Sequence, residues 1–222
     1  MEELQYKTVT PLLTMVLKQL MNEPLFAPFR LVGGTNLSLR YGHRYSIDID
    51  LFSDSEYRSL DFAAFERYLH SQFPYYHCND KGSIVGMGRC YYIGNSYEDY
   101  VKVDLMYTDP FICDTEILDG IRMASVDDIV AMKMNVVSRG GRKKDFWDLH
   151  YLLNHYPLSK MFSLHEKRHE WEHDSDELIR NFTDFSIADE IPDPICLLGK
   201  DWDNIKIDLI EHAENMLKNM NK

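Results

Sequence analysis

Nowhere in the 222 residues do eighteen apolar residues run together, so no membrane-spanning helix is expected. The acidic start, Met1-Glu2-Glu3, has no basic stretch leading into an apolar one, and no signal peptide is read. Cysteine is scarce: Cys78, Cys90, Cys113 and Cys196 are widely spaced and form no CxxC pair. That excludes a disulfide scaffold and gives a structural zinc site little support, despite nine histidines. Free thiols in a reducing cytoplasm are the simplest reading. An excess of basic charge is missing too. With 24 Lys/Arg against 36 Asp/Glu the net charge is −12, which rules out a fold-wide basic footprint for nucleic acid. There is no internal repeat and no low-complexity linker.

What is present divides into two parts. Residues 1–120 read as a mixed α/β core and 121–222 as a helical part, an α+β chain with a small mixed sheet flanked by helices. Thr10 caps a helix opened by Pro11 and carried by Leu13, Val16, Leu17 and Leu20. Phe29 to Val32 is a short strand running into Gly33-Gly34. A helix of about two turns follows and stops at Gly42. Ser46 to Phe52 alternates polar with apolar, the period of a strand. A helix is expected from about Asp61 to Gln72, then an antiparallel pair of strands, 82–94 and 100–107, joined through 95–99. Ser125 and Asp128 have capping-box spacing. They open a helix with Ile129, Met132 and Val136, which Gly140-Gly141 breaks. A second helix runs from about Lys143 to Leu153. The rest reads as helices with an irregular joint at 191–194 and a last helix from near Asp201. Residues 165–222 carry 7 Lys/Arg against 15 Asp/Glu, a net −8, which reads as a solvated face. The earlier part is close to neutral and holds a basic cluster, Arg139, Arg142, Lys143 and Lys144.

The chemistry concentrates in two short stretches. Asp48-Ile49-Asp50 on a strand puts two carboxylates on one face, about 7 Å apart by strand rise. Asp104, between Val103 and Leu105 on another strand, is a third candidate. Three converging carboxylates repel one another unless a cation neutralises them. Oxygen ligands on a rigid sheet suit Mg²⁺ or Mn²⁺. Taken alone, a D-x-D on a strand reads equally as carboxylates on a solvent-facing edge. Val32-Gly33-Gly34-Thr35 between strand and helix allows a tight turn, close approach of backbone to a phosphate, and a helix N-terminus aimed at it. Alone, it is also an ordinary turn, and it is neither a Walker A loop nor a GxGxxG motif.

Together these pieces are more specific. An apolar residue before Gly33-Gly34, thirteen residues, Asp48-Ile49-Asp50-Leu51, then Val103-Asp104-Leu105 resembles the polymerase-β-type nucleotidyltransferase superfamily. The closer resemblance is to the AbiEii/AbiGii toxin family of nucleotidyltransferases. It rests on 31–52, 101–105, the stretch 121–133 ending at Lys133, and Arg142-Lys143-Lys144-Asp145-Phe146-Trp147-Asp148-Leu149. It covers roughly residues 10–155.

The resemblance implies a metal-dependent transfer of a nucleoside monophosphate from an NTP. In that scheme Asp48, Asp50 and Asp104 hold Mg²⁺ (or Mn²⁺) and carry catalysis with Lys133. Gly33, Gly34 and Thr35 cradle the phosphates. Arg44, Lys144, Asp145 and Asp148 complete the nucleotide site, the two aspartates by arranging it. The helical part is expected to complete the active-site cleft. The resemblance further implies a cytoplasmic toxin of a toxin–antitoxin or phage-defence pair, with a cognate antitoxin as partner. Its acceptor would be RNA, at the 3′ end of tRNA, gripped through the local basic patch 139–144. Two other classes stay open: a nucleotide-binding toxin or partner-binding module with little transfer activity, and a small-molecule (antibiotic) nucleotidyltransferase. The aromatics Tyr91, Tyr92, Phe146 and Trp147 are expected in the core rather than as a base-stacking platform.

Overall fold

The computed structural model describes residues 3–79 and 86–220. It divides the chain into a sheet unit, residues 1–41 and 46–125, and a helical unit, residues 42–45 and 126–222. The division read from sequence at 120/121 thus falls inside a hairpin of the sheet unit. The four residues 42–45 belong with the helices.

Among the described residues of the sheet unit, seven strands run in the order β3-β4-β5-β2-β1-β7-β6. They are β1 (Arg30–Leu31), β2 (Asp48–Ser53), β3 (Tyr75–Cys78), β4 (Gly88–Ser96), β5 (Asp99–Tyr107), β6 (Glu116–Leu118) and β7 (Ile121–Met123). β2 pairs parallel with β5 and antiparallel with β1; β1 pairs parallel with β7. The expected strand at 82–94 corresponds to β4, which begins at Gly88; residues 82–85 lie outside the described residues. β3 and the β6–β7 hairpin were not legible beforehand.

Alternation explains how one face became the core. Ile49, Leu51, Tyr91, Ile93, Val101, Val103 and Leu105 all point to it and are buried. Helix α1 (Pro11–Asn22), capped by the Thr10 side chain accepting from Leu13 N–H, brings Leu13, Val16, Leu17 and Leu20 to that face. Helix α3 (Phe62–Gln72), capped by Asp61, adds Phe62, Phe65 and Leu69. Helix α2 (Gly33–Tyr41) is tied down by Asn36, whose amide donates to the carbonyls of Leu31 and Ala124 (2.8 and 3.0 Å). Arg122 donates to three carbonyls, those of Phe29, Met21 and Phe26, and so fixes the turn before β1.

The helical unit comprises α4 (Val126–Val137), α5 (Lys143–Leu152), α6 (Leu158–Arg168), α7 (Ser175–Phe182), α8 (Ser186–Asp189) and α9 (Trp202–Met220). Ile129, Met134, Val137, Phe146, Leu149, Met161, Phe182, Ile205 and Leu209 are fully buried. Trp147 stacks on Trp202 with centroids 6.2 Å apart and planes 9° from parallel. Of the apolar residues read on α4, Ile129 is buried and Val136 is exposed; Val137 is buried beside it. Asp128 is buried and accepts from Arg168 of α6 (3.2 Å). Residues 42–45 run beside 195–197: Tyr45 N–H donates to Ile195 O (2.8 Å) and Leu197 N–H to His43 O (3.0 Å). Among the described residues no helix is long and apolar enough to cross a membrane, and no cysteine is joined in a disulfide.

Candidate active site

Asp48 and Asp50 leave β2 on the face opposite the core, half-buried. The parallel register with β5 sets Asp50 directly against Asp104 and Asp48 against Lys102. Residues paired across a ladder share a face. Sheet geometry alone therefore assembles Asp48, Asp50, Asp104 and Lys102 into one patch, although the acids come from stretches more than fifty residues apart.

Asp104 uses one oxygen for Lys102, with Nζ 2.5 Å from Oδ2. Its other oxygen, Oδ1, is buried with no hydrogen-bond partner. Burial works against the Lys102 ammonium, but its hydrogen bond to Asp104 and the charges of Asp104 and Asp48 hold its pKa above the ordinary lysine value. Cys90 pairs with Asp104 on the other side, on β4. Burial, with the Asp104 carboxylate beside it, pushes the Cys90 thiol up to about 11, so it stays protonated.

Gly33 follows β1 and begins α2 with φ of +70°, a left-handed conformation that favours glycine. A β-carbon there would overlap Asp50 Oδ2 and come within 3.2 Å of its Cγ. The bare Cα is what lets the turn lie against the carboxylate. Gly34 continues the first turn of α2. Thr35 is 1% exposed. Its hydroxyl donates to the Asp48 carbonyl and pairs with Ser46 Oγ (2.8 Å). That hydroxyl, expected to face a phosphate, instead braces the start of β2.

The remaining expected residues meet within the helical unit. Asp148, fully buried on α5, accepts from Arg44 Nε (2.6 Å) and Nη2 (2.8 Å) in a forked pair, from Lys133 Nζ (2.8 Å), and is 2.7 Å from His43 Nε2. Lys133, on α4, also donates to Asp145 (2.6 Å). Asp145 in turn accepts from the Arg142 backbone N–H (3.1 Å) and caps α5. Burial raises a carboxyl pKa, yet Arg44 and Lys133 hold Asp148 well below the usual carboxylate range; Lys133 does the same more mildly for Asp145. The Lys133 ammonium, disfavoured by burial, is raised by both aspartates. Two cations and two anions at this depth form a closed, charge-neutral hub. Lys144 is half-buried in the first turn of α5. In the basic stretch around it, Arg139 pairs with Glu172 (2.5 Å), Arg142 with Asp145 and Lys143 with Asp193 (2.9 Å). The expected phosphate-gripping patch is thus largely paired with carboxylates already.

Alternation along 100–107 already puts Lys102 on the face of Asp104; what sequence reasoning missed is its pairing with Asp48, and Tyr92 as a residue of this face. Tyr91 is fully buried, but Tyr92 is half-exposed and pairs in register with Lys102.

Do these acids suit a divalent ion? Among the described residues no three His, Cys, Asp or Glu side chains close into a preformed cage. The patch is an open set of hard oxygens, with a buried carboxylate oxygen lacking a donor and a glycine that clears the space before Asp50. Those features fit a Mg²⁺ or Mn²⁺ that shares its shell with substrate oxygens.

Comparison with known proteins gives a consistent picture. A family model described as "Nucleotidyl transferase AbiEii toxin, Type IV TA system" matches residues 16–218. An uncharacterised protein of Aquifex aeolicus (strain VF5) is 30% identical over 136 residues, 56% of this chain; the match spans 57% of that relative's length. Among solved structures, the nucleotidyltransferase toxin MenT4 of Mycobacterium tuberculosis superposes with a TM-score of 0.62 at 11% identity, over 90% of this chain and 81% of its own. JHP933 of Helicobacter pylori gives 0.56 at 18% identity, over 94% and 90%. At these identities the structures speak for the fold.

Proposed function

The chain belongs to the AbiEii nucleotidyl transferase toxin family, and on that premise we propose that it transfers a nucleoside monophosphate from an NTP to RNA, at the 3′ end of tRNA. The observation that carries this reading is the cross-strand pairing of Asp50 with Asp104 beside the Gly33 turn. A pure binding module has no need of repelling carboxylates in register.

Asp48, Asp50 and Asp104 would hold Mg²⁺ or Mn²⁺. When bound, the metal shields the triphosphate and acidifies the attacking hydroxyl. The backbone at Gly33 and Gly34 receives the β- and γ-phosphates at the start of α2, where unpaired N–H groups favour anions. Asp104 Oδ1 accepts the proton of the acceptor hydroxyl. The bond from the acceptor oxygen to the α-phosphorus forms as the bond from that phosphorus to the bridging oxygen breaks. Pyrophosphate leaves with the electron pair. Lys102 holds Asp104 in place through its second oxygen. In this reading Lys133, Asp145 and Asp148 act by holding Arg44 and the start of α5, with Lys144 at its rim. The protein works in the cytoplasm as the toxin of a toxin–antitoxin or phage-defence pair, restrained by a cognate antitoxin.

The test is direct. Purified protein with Mg²⁺ and each α-labelled NTP is incubated with total tRNA, with Asp48→Ala as control. Label on RNA that depends on Asp48 is expected. Normal labelling by Asp48→Ala would sink the metal assignment. No label from any NTP would refute RNA as acceptor.

A further inference from the structure

The face that carries the acids also carries a row of rings. Register runs Asp104↔Cys90 and Lys102↔Tyr92 between β5 and β4, then Tyr92↔His77 onto β3. Tyr100 and Tyr75 both pair with Gly94. Since that glycine has no side chain, the two rings meet across it, centroids 5.7 Å apart. Tyr92 stands edge-on to Tyr100 at 5.6 Å, with planes at 82°. Their sequence neighbours Tyr91, Val101 and Tyr76 pack into the core, which these rings do not join. Tyr100 is 45% exposed.

Position gives the row a meaning. In the sheet order β3-β4-β5-β2-β1, the acids sit on β2 and β5. The glycine turn follows β1, on one side of them. The tyrosines occupy β4, β3 and the start of β5, on the other. In-line displacement needs the entering and leaving oxygens on opposite sides of the phosphorus. With the triphosphate at Gly33, the acceptor must arrive from the tyrosine side. By strand spacing and rise, Tyr92 lies about 8 Å and Tyr100 about 13 Å from Asp104, within reach of the last nucleotides of an unpaired strand. Stacking on tyrosine needs no particular base, because every base has a π-face, whereas a paired and stacked duplex offers none.

We infer that Tyr92, Tyr100 and Tyr75 form a stacking platform for the unpaired terminal bases of the acceptor strand. Lys102 supplies a cation between platform and acids. This rests on the reading of RNA as acceptor, and it locates the recognition in the sheet rather than in the stretch 139–144.

Binding, read without turnover, tests it. The full chain is titrated into a fluorescently labelled single-stranded RNA of about ten nucleotides, and into the same strand annealed to its complement. Tyr92→Ala/Tyr100→Ala is compared with Tyr92→Phe/Tyr100→Phe, which keeps the rings. A fluorescent NTP analogue with Mg²⁺ is titrated in parallel, and melting curves confirm folding. Should the double alanine variant not fold, Tyr100→Ala alone serves, since that side chain is the most exposed of the three. The alanine variant is expected to bind single strand about 10- to 100-fold more weakly, with NTP affinity unchanged. The phenylalanine variant should match wild type, and duplex should bind wild type worse than single strand does. Three results overturn the inference: equal binding by the alanine variant, no single-strand binding by wild type, or loss of NTP affinity with RNA affinity kept. The last would assign the rings to the base of the incoming nucleotide. A chain that grips single strands through these tyrosines but transfers nothing would sink the transfer reading alone.

Discussion

Gly33 lies so close against Asp50 that any side chain there would have to displace the carboxylate. Turn and acid are therefore one device, and a glycine far from Asp50 in sequence limits where Asp50 can sit. Gly33→Ala adds one methyl group. It should cost about 1–2 kcal/mol from the left-handed backbone alone. If the turn and the acid act together, it should also weaken Mn²⁺ binding, followed by electron paramagnetic resonance, and abolish transfer. Full Mn²⁺ affinity in a folded Gly33→Ala protein would separate the two.

Asp50 and Asp104 are like charges directly opposite on paired strands, an arrangement that destabilises a sheet by roughly 0.2–1 kcal/mol. Asp50→Asn should therefore leave Tm unchanged or raise it by up to about 4 °C, while transfer falls by more than about 100-fold, beyond what losing an outer-shell partner of a metal ligand costs. A lowered Tm would mean that the acid is held for stability rather than for chemistry.

The hub in the helical unit makes the opposite prediction. Asp148 is fully buried between Arg44 and Lys133. Asp148→Asn leaves a buried positive charge without its balance and should cost about 3–5 kcal/mol, read from urea midpoints. Removing the guanidinium as well, in Arg44→Met/Asp148→Asn, should restore part of that loss. Simple additivity of the two substitutions would show that the pair is not coupled.

A pH dependence follows from α6. His165 is 1% exposed. Its Nδ1 lies 2.8 Å from His173 Nδ1, and its ring is 5.2 Å from that of His169. Burial, then the charges His169 and His173 would carry, lower its pKa to about 4; Glu172 opposes this and Arg139 adds to it. A folded pKa below the unfolded value of about 6.5 means the unfolded chain binds the extra proton. Stability from neutral His165 is thus complete above about pH 6.5 and lost as the pH falls toward 4, by no more than about 3 kcal/mol. Asp145 and Asp148, both lowered, withdraw their share only below about pH 4. Melting curves from pH 7.5 to 4.5 should show a fall in Tm that His165→Gln flattens. An unchanged slope in that variant would place the proton elsewhere.

Features written in local periodicity were legible. Alternation in Asp48-Ile49-Asp50 and in Val103-Asp104-Leu105 put the acids opposite the core, and Thr10 with Pro11 marked the start of α1. β3, β6 and β7, of three or four residues each, are too short for a period to declare itself. Register was harder still. Aromatic character alone suggests the core for both Tyr91 and Tyr92, yet adjacent strand residues face opposite ways. Carrying the parity of Asp104 across the turn at 95–99 would have put Tyr92 on the acid face. The partners of Arg44 carried no such clue: Asp148 lies 104 residues away, and only the tertiary fold reveals that 42–45 joins the helices.

That separation matters during synthesis. At roughly 5–20 residues per second, Arg44 leaves the ribosome about 5–20 s before the aspartate that neutralises it. Every strand of the sheet unit is complete in the meantime, because β7 ends at Met123. The nascent chain thus carries a guanidinium destined for burial while the helix that will bury it is still being made. Until then the guanidinium lacks its buried carboxylate, and any factor that meets the chain on the ribosome meets it before the hub has closed.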